Sequence, residues 1–156
     1  MKIENLYIFN EDNNARLITY VRDNPPEMSS DPRRAILICP GGGYQWTSDR
    51  ESEPIALQFL ARGYNAFVLK YSTGEMAKDL LPLHELELSI KHIRNHAKEY
   101  NILPDKIIVL GFSAGGHLAL SSGVLLPKES RPNAMVLCYP VVTATCPTHL
   151  GSMHRI

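Results

Sequence analysis

The chain has 156 residues, a hydrophobic fraction of 44% and 16 basic against 16 acidic side chains. This length holds one domain with a full core and leaves too little chain for a second. A net charge of zero gives no reason to expect a nucleic-acid or anionic-membrane partner, and no apolar run approaches membrane-spanning length. We therefore predict a single globular domain over residues 1–156.

The cysteines and the N-terminus bear on the cellular compartment. No basic segment leads into an apolar stretch at the N-terminus, as it would in an export signal. Cys39, Cys138 and Cys146 form an odd set, which does not favour a disulfide framework. Cys39 and Cys138 stand at the ends of predicted strands, where a thiol behaves as a small apolar side chain. We predict a cytoplasmic, reducing environment.

The chain begins with a predicted hairpin. Residues 2–9 and 16–22 have strand-like composition, and the polar residues 10–14 between them favour a turn. Residues 23–34 are rich in proline and serine and predict a loop.

A strand, a helix and a second strand follow. Residues 35–39 are apolar throughout, which predicts a central strand. Residues 54–62 have helical spacing, with Pro54 suited to the first turn and Gly63 to the C-terminal end. Residues 64–70 predict the next strand. A strand, a helix and a strand in succession over this length predict two parallel strands joined by a right-handed crossover.

A long helix is predicted next, ending near Tyr100. Its buried face is marked by apolar residues that recur at four, three and four positions: Leu86, Ile90, Ile93 and Ala97. His92 and His96 stand four apart on this helix, a spacing that could hold a metal ion. No glutamate stands between them in an H-E-x-x-H pattern. We therefore interpret both as solvated histidines and predict no metal site and no cofactor.

The sequence around Ser113 carries the strongest motif. After a connector that ends at Pro104 and Asp105, residues 107–110 form an apolar run typical of a strand buried on both faces. Residues 111–115, Gly-Phe-Ser-Ala-Gly, fit the G-x-S-x-G turn that lifts a serine out of the sheet and into a helix. The flanking glycines are needed because a Cβ there would collide with the neighbouring strand or helix. The N–H of Ala114, at the helix start, would then point toward a developing oxyanion.

The rest of the chain predicts one more helix and strand. The helix runs to about Leu126, a loop follows over residues 127–132, and residues 133–139 form a sixth strand. From Thr143 onward the sequence has no strong periodicity.

The segment after the third strand is a second candidate for the site. Residues 40–44 read Pro-Gly-Gly-Gly-Tyr, and successive glycines allow backbone N–H groups to approach a ligand closely. A phosphate cradle fits poorly because the Lys-Ser/Thr pair of a P-loop is missing. The alternatives are a flexible loop and the second half of an oxyanion hole. We predict that Tyr44 and Trp46 are walls of the substrate pocket; the alternative is that they are core aromatics.

Taken in order, three motifs resemble those of the α/β-hydrolase superfamily: the glycine loop at 40–44, the elbow and helix start at 111–119, and the Cys-Tyr-Pro strand end at 138–140. The resemblance is greatest to the acetyl-esterase and carbohydrate-esterase branch, which includes acetyl-xylan esterases. Hormone-sensitive-lipase relatives begin the glycine loop with histidine, where this chain has Pro40.

This resemblance implies a fold and an activity. The fold is α/β, with a mostly parallel, doubly wound sheet behind the N-terminal antiparallel hairpin. Ser113 matches the nucleophile, and the N–H groups of Ala114, Gly42 and Gly43 match the oxyanion hole. The implied substrate is a small ester, such as an acetylated sugar.

The triad is incomplete in this sequence. Such folds deliver it in the order Ser, Asp or Glu, then His. After Ser113 the sole acidic residue is Glu129, and His149 and His154 follow the sixth strand with no further strand between. His117, one turn past the nucleophile, is not the base in this family. We therefore expect the triad Asp and His to be absent and the chain to be the N-terminal part of a longer hydrolase, truncated after about six strands and inactive or nearly so alone.

If the chain is truncated, one edge of its sheet would be uncovered, and three alternatives to the esterase interpretation remain. The apolar edge of the sixth strand (Met135, Val136 and Leu137) would be uncovered, so the chain would dimerise or aggregate through it unless a further segment covers it. A non-catalytic binding domain, which kept the scaffold and lost the triad, is one alternative function. A second alternative is a peptidase of the prolyl-oligopeptidase type, which the three-glycine loop does not favour. In a third alternative, His149 or His154 completes the site of a neighbouring chain.

Overall fold

The computed structural model describes residues 1–7, 9 and 15–143. The described residues form six strands and three α-helices: β1 (Lys2–Leu6), β2 (Arg16–Val21), β3 (Arg33–Cys39), α1 (Glu53–Ala61), β4 (Asn65–Lys70), α2 (Leu81–Asn95), β5 (Ile102–Phe112), α3 (Ala114–Val124) and β6 (Ala134–Cys138). Short 3₁₀ turns lie at Asp49–Glu51, Gly74–Met76 and Lys128–Ser130. Within this part of the chain, no helix is both long and apolar enough to cross a membrane.

The strands form one mixed sheet in the order β1-β2-β4-β3-β5-β6. β1 pairs antiparallel with β2, and β2 pairs antiparallel with β4. β3 is parallel to β4 and to β5, and β5 is parallel to β6. The predicted hairpin and the central position of β3 are confirmed. Because parallel strands end at the same edge of a sheet, the segments after β3, β5 and β6 come together there.

Helices cover both faces of this sheet. Leu37 of β3 packs in one core cluster with Ile90 of α2 and Leu118 of α3. Ile36, one position earlier, packs in a second cluster with Leu60 of α1. Successive side chains of β3 therefore enter opposite cores, which explains why the strand is apolar throughout rather than alternating.

Gly63 ends α1 as predicted. It has φ +87°, and its N–H donates to the carbonyl of Leu60 at 3.0 Å. The N–H of Tyr64 donates to the carbonyl of Phe59 at 3.1 Å, and their two rings lie 5.4 Å apart. This is a Schellman ending, in which glycine adopts the left-handed conformation and an apolar contact closes the turn into β4.

β5 begins earlier than predicted. It starts at Ile102, so Pro104 and Asp105, which were predicted to end the connector, lie inside the strand. Arg33 of β3 pairs with Ile102, and the register shifts immediately after this pair. The irregularity leaves extra residues unpaired at an exposed end of the sheet, where a proline without an N–H is tolerated.

α3 approaches the sheet at a distance that glycine alone permits. A Cβ on Gly115 would lie 2.1 Å from the carbonyl oxygen of Cys39, at the end of β3. A Cβ on Gly111 would lie 2.1 Å from the carbonyl oxygen of Gly115. Both obstacles are backbone atoms, which no side-chain rotation can move. The steric reason predicted for the two flanking glycines is confirmed.

β6 lies at an edge of the sheet, and none of the described residues pairs with its outer side. Val136 is 45% exposed and Met135 is also exposed, while Leu137 is half-buried against the core. An apolar edge strand presents unpaired N–H and C=O groups to any other strand.

Replacing Gly115 by alanine should lower the free energy of unfolding by about 3 kcal/mol, because the added methyl overpacks against fixed backbone. Gly74→Ala is the matched control. No atom lies within 4 Å of its Cβ position, so the strain of its positive φ alone remains, roughly 1–2 kcal/mol. Urea denaturation of both variants measures the difference. Equal losses would contradict the close approach of α3 to β3.

We propose that the chain self-associates through the outer side of β6. Val136→Lys places a charge on this edge and should shift the chain toward the monomer and reduce its binding of a hydrophobic dye. Leu57→Lys, which changes an exposed apolar residue of α1, is the control and should leave association unchanged. Size-exclusion chromatography with light scattering reports the mass. A monomeric unmodified chain that binds no dye would refute this proposal.

Candidate active site

Ser113 stands at the turn between β5 and α3 in a strained conformation. Its φ is +52° and its ψ is −116°, a combination that non-glycine residues rarely adopt. Its N–H donates to the carbonyl of Cys138, at the end of β6, at 3.0 Å. Its carbonyl accepts the N–H of His117 at 3.0 Å. The backbone of the serine is therefore held by the neighbouring strand and by its own helix.

The glycine loop after β3 is a tight turn. Gly42, Gly43 and Tyr44 have successive positive φ values of 136°, 62° and 59°. The carbonyl of Gly42 accepts the N–H of Gln45 at 3.0 Å. A Cβ on Gly42 would lie 2.1 Å from the carbonyl oxygen of Trp46. The close packing and the hydrogen bond within the turn favour a fixed loop over the flexible-loop alternative.

Three backbone donors near Ser113 are unoccupied. Within the described part of the chain, the N–H groups of Gly42, Gly43 and Ala114 have no hydrogen-bond partner. Ala114 is the first residue of α3, and the first N–H groups of a helix have no partner within it and carry partial positive charge. Donors of this kind suit an oxygen that becomes negative during a reaction.

Ser113 and the glycine loop open into one cleft of about 380 Å³. The cleft is lined by the residues that follow β3, β5 and β6: Gly41, Gly42, Gly43, Gln45, Trp46, Ser48, Arg50, Glu51, Ser113 and Tyr139. Trp46 is 59% exposed and forms part of the wall, in agreement with the interpretation as a pocket residue.

Tyr44 is a core aromatic and does not line the cleft. It is 2% exposed, and its ring packs 5.7 Å from that of Tyr71. Its hydroxyl hydrogen-bonds Nδ1 of His117 at 2.9 Å, and its carbonyl accepts the N–H of Gly74 at 2.7 Å. The prediction that Tyr44 forms a wall of the substrate pocket is therefore wrong, because its side chain is buried in the core. Tyr44 ties the end of the glycine loop to α3.

No described histidine lines the cleft. His117 is half-buried beside Tyr44, and burial lowers the pKa of its imidazole. Glu129 is exposed in the turn before β6, at the opposite end of that strand from Ser113, and its carbonyl accepts a hydrogen bond from Arg94. His149 and His154 lie outside the described residues. The described part of the cleft therefore contains a serine hydroxyl and free backbone donors, but no histidine.

His92 and His96 are half-buried, which corrects their interpretation as solvated residues. Their rings stack at 4.1 Å, and Nε2 of His92 lies 3.0 Å from the hydroxyl of Tyr100. Burial, and secondarily His96, lowers the pKa of His92. α2 ends at Asn95 and not near Tyr100 as predicted. The residues after it form turns, in which the N–H of Tyr100 donates to the carbonyl of His96, and the tyrosine side chain packs against the end of the helix. Among the described residues no group of three or more potential ligands could hold a metal ion.

The two described cysteines lie at strand ends as predicted. Cys39 is buried and Cys138 is half-buried, and both are free thiols. Burial raises the pKa of the Cys39 thiol. Cys146 lies outside the described residues.

The cleft also contains the carboxylate of Glu51, which no sequence pattern indicated. Glu51 lies in a 3₁₀ turn, where Oε2 accepts the N–H of Gly41 at 2.7 Å and Oε1 accepts the hydroxyl of Tyr139 at 2.6 Å. No local pattern distinguishes Glu51 from the acidic residues around it. Its partners belong to segments that meet only in the folded sheet.

Several known proteins are similar to this chain in sequence and fold. A profile of the BD-FAE family matches residues 24–139. The acetylxylan esterase of Xylanibacter ruminicola is 33% identical over 134 residues, which covers 85% of this chain and 26% of that protein. The crystal structure of MGS-M1, an α/β-hydrolase enzyme from a Medee basin deep-sea metagenome library, is 47% identical with a TM-score of 0.86 and covers 95% of this chain and 60% of that chain.

A second solved structure is the acetyl ester-xyloside bifunctional hydrolase of Caldicellulosiruptor lactoaceticus. It is 34% identical with a TM-score of 0.81, covering 96% of this chain and 58% of that one. The chain thus spans about a quarter of the length of the acetylxylan esterase and about three fifths of these two solved chains. Because the family profile covers most of the chain and the solved relatives share its fold, the chain belongs to the BD-FAE family of α/β-hydrolase esterases.

Proposed function

We propose that this chain supplies the nucleophile and the oxyanion hole of a serine esterase. One observation carries the proposal: Ser113, strained on its turn, opens into the same cleft as Gly42 and Gly43, whose N–H groups have no partner in the described structure. A nucleophile and unoccupied donors on one cleft are the two elements that acyl transfer needs in fixed geometry.

The reaction would proceed through an acyl-enzyme. Oγ of Ser113 attacks the ester carbonyl carbon, and the carbonyl oxygen becomes an oxyanion that the N–H groups of Gly42, Gly43 and Ala114 stabilise. Collapse of the tetrahedral intermediate breaks the ester C–O bond and releases the alcohol. Water then attacks the acyl-enzyme and releases the acid, leaving Ser113 free.

A base is required in both halves of this reaction. In the first half it takes the hydroxyl proton of Ser113 as the serine attacks and delivers it to the departing alcohol. In the second half it takes a proton from the attacking water and returns it to Oγ of Ser113. His117 is engaged by Tyr44 and does not line the cleft, so the proposed triad takes its histidine and its carboxylate from outside the described residues. Loss of a triad base costs on the order of 10⁶ in kcat, and the remaining elements retain about 10³–10⁴ over water. The chain alone is therefore proposed to be nearly inactive.

The proposed substrate is an acetyl ester on a sugar. Two relatives support it by their descriptions, an acetylxylan esterase and an acetyl ester-xyloside hydrolase. The exposed indole of Trp46 adds a flat apolar surface beside Ser113, on which a sugar ring can lie. In a protein with the complete triad, p-nitrophenyl acetate and acetylated xylan should be hydrolysed, and an aminoacyl-proline amide should not.

Reaction with a fluorophosphonate probe tests Ser113 directly. In this chain we expect slow labelling that added imidazole accelerates, because the free base would act in place of a triad histidine. Ser113→Ala should abolish labelling. Ser48→Ala is the matched control, since it removes another hydroxyl from the same cleft and should leave the rate unchanged. Mass spectrometry locates the modified residue. An absence of labelling at Ser113 with imidazole present would favour the non-catalytic binding domain.

A further inference from the structure

We propose that Glu51 is a positioning residue that fixes the glycine loop against the nucleophile turn. This inference rests on the esterase function proposed above. It assigns to Glu51 no proton transfer and no contact with the substrate. Its role is to set where the N–H groups of Gly42 and Gly43 lie relative to Ser113.

The first contact of Glu51 is with the start of the loop. Its Oε2 accepts the N–H of Gly41 at 2.7 Å, and the carbonyl of Gly41 accepts the N–H of Ser48 at 2.8 Å. Both polar backbone groups of Gly41 are thus held by the segment that carries Glu51. Because this N–H is occupied, Gly42 and Gly43 remain as the loop's donors to an oxyanion.

Gly41 is also the point where the loop touches the nucleophile turn. The position that a Cβ on Gly41 would take lies 2.9 Å from Oε2 of Glu51, 2.9 Å from the carbonyl oxygen of Phe112 and 3.1 Å from Cβ of Ser113. The carboxylate, the loop and the serine are therefore packed around one small volume. A shift of Gly41 moves the following two glycines relative to Ser113.

The second contact of Glu51 is on the other side of Ser113. Its Oε1 accepts the hydroxyl of Tyr139 at 2.6 Å, just beyond the end of β6. The preceding residue, Cys138, accepts the N–H of Ser113 through its carbonyl. The Tyr139 ring lies 6.0 Å from that of Phe112. Glu51 thus joins the segments after β3 and β6, which flank the nucleophile at the end of β5.

The charge of Glu51 explains why both of its oxygens have donors. A carboxylate without partners beside a developing oxyanion would oppose the negative charge of the transition state. Here the N–H of Gly41 and the hydroxyl of Tyr139 each donate a hydrogen bond to one oxygen of Glu51. These two bonds stabilise the negative charge on the carboxylate. The hydrogen bond to Glu51 raises the pKa of Tyr139 to about 12. Tyr139 therefore remains a donor throughout the pH range in which an esterase works.

The test compares Glu51→Gln with Glu53→Gln, an exposed glutamate two residues away. A glutamine side chain has one acceptor oxygen, so it can accept from Gly41 or from Tyr139 but not from both. In the imidazole-assisted labelling of Ser113 we expect Glu51→Gln to be slower by about 10- to 100-fold, the loss expected when reacting groups are misplaced by about 1 Å. Glu53→Gln should react at the unmodified rate.

Two structural measurements are made on the same samples. Amide hydrogen exchange at Gly41 should be faster in Glu51→Gln and unchanged in Glu53→Gln. The phenol of Tyr139, identified by its loss in Tyr139→Phe, should titrate at lower pH once Glu51 is replaced. The urea midpoint of Glu51→Gln should fall only slightly, because the change removes one hydrogen bond and no apolar contact. Tyr139→Phe, which leaves the loop sequence intact, should also slow labelling.

The outcomes separate the two proposals. If Glu51→Gln labels at the rate of Glu53→Gln and its Gly41 amide exchanges no faster, Glu51 does not position the loop. If the unmodified chain shows no labelling of Ser113 with imidazole, the esterase function fails. In that case Gly41 exchange still decides whether Glu51 holds the loop.

Discussion

The close contact between the first turn of α3 and the end of β3 determines the geometry of the whole site. Gly115 lies against the carbonyl of Cys39, and this contact places the start of α3 directly beside the glycine loop. The same contact requires the chain to turn sharply at Ser113, whose positive φ is the local cost of that turn. A larger residue at 115 would push the helix outward and separate Ala114 and Ser113 from Gly42 and Gly43. The packing of Gly115 against β3 thus stabilises the strained backbone conformation of Ser113.

Around this contact, three strand ends are joined by a small number of polar side chains. Tyr44 ties the end of the glycine loop to α3 through His117, on the buried side. Glu51 ties the start of the loop to Tyr139, on the solvent side. The loop is therefore held at both ends, which keeps its free N–H groups in place without help from a bound ligand. Preorganisation of this kind is what makes donors effective in catalysis.

The parts of the site that sequence could predict are those that depend on backbone sterics. Gly111 and Gly115 around Ser113 signal a turn with no room for Cβ atoms, and the apolar runs of β3 and β5 signal strands covered on both faces. Residues whose roles depend on long-range contacts gave no signal. The hydrogen bond between Glu51 and Tyr139 joins residues that are 88 positions apart in the sequence. β5 starts early because Ile102 pairs with Arg33 of β3. The pocket prediction for Tyr44 was wrong because the direction of a side chain after a tight turn is not encoded locally.

The proposed esterase function requires the hydroxyl of Ser113 and the free N–H groups of the glycine loop to face one reacting centre. A crystal structure of the chain with Ser113 phosphonylated tests it most directly, since the phosphoryl oxygen marks the position of an oxyanion. We predict that this oxygen lies about 2.7–3.1 Å from the backbone nitrogens of Ala114 and of Gly42 or Gly43. A phosphoryl oxygen that points into solvent, with the glycine nitrogens beyond hydrogen-bond distance, would contradict the account.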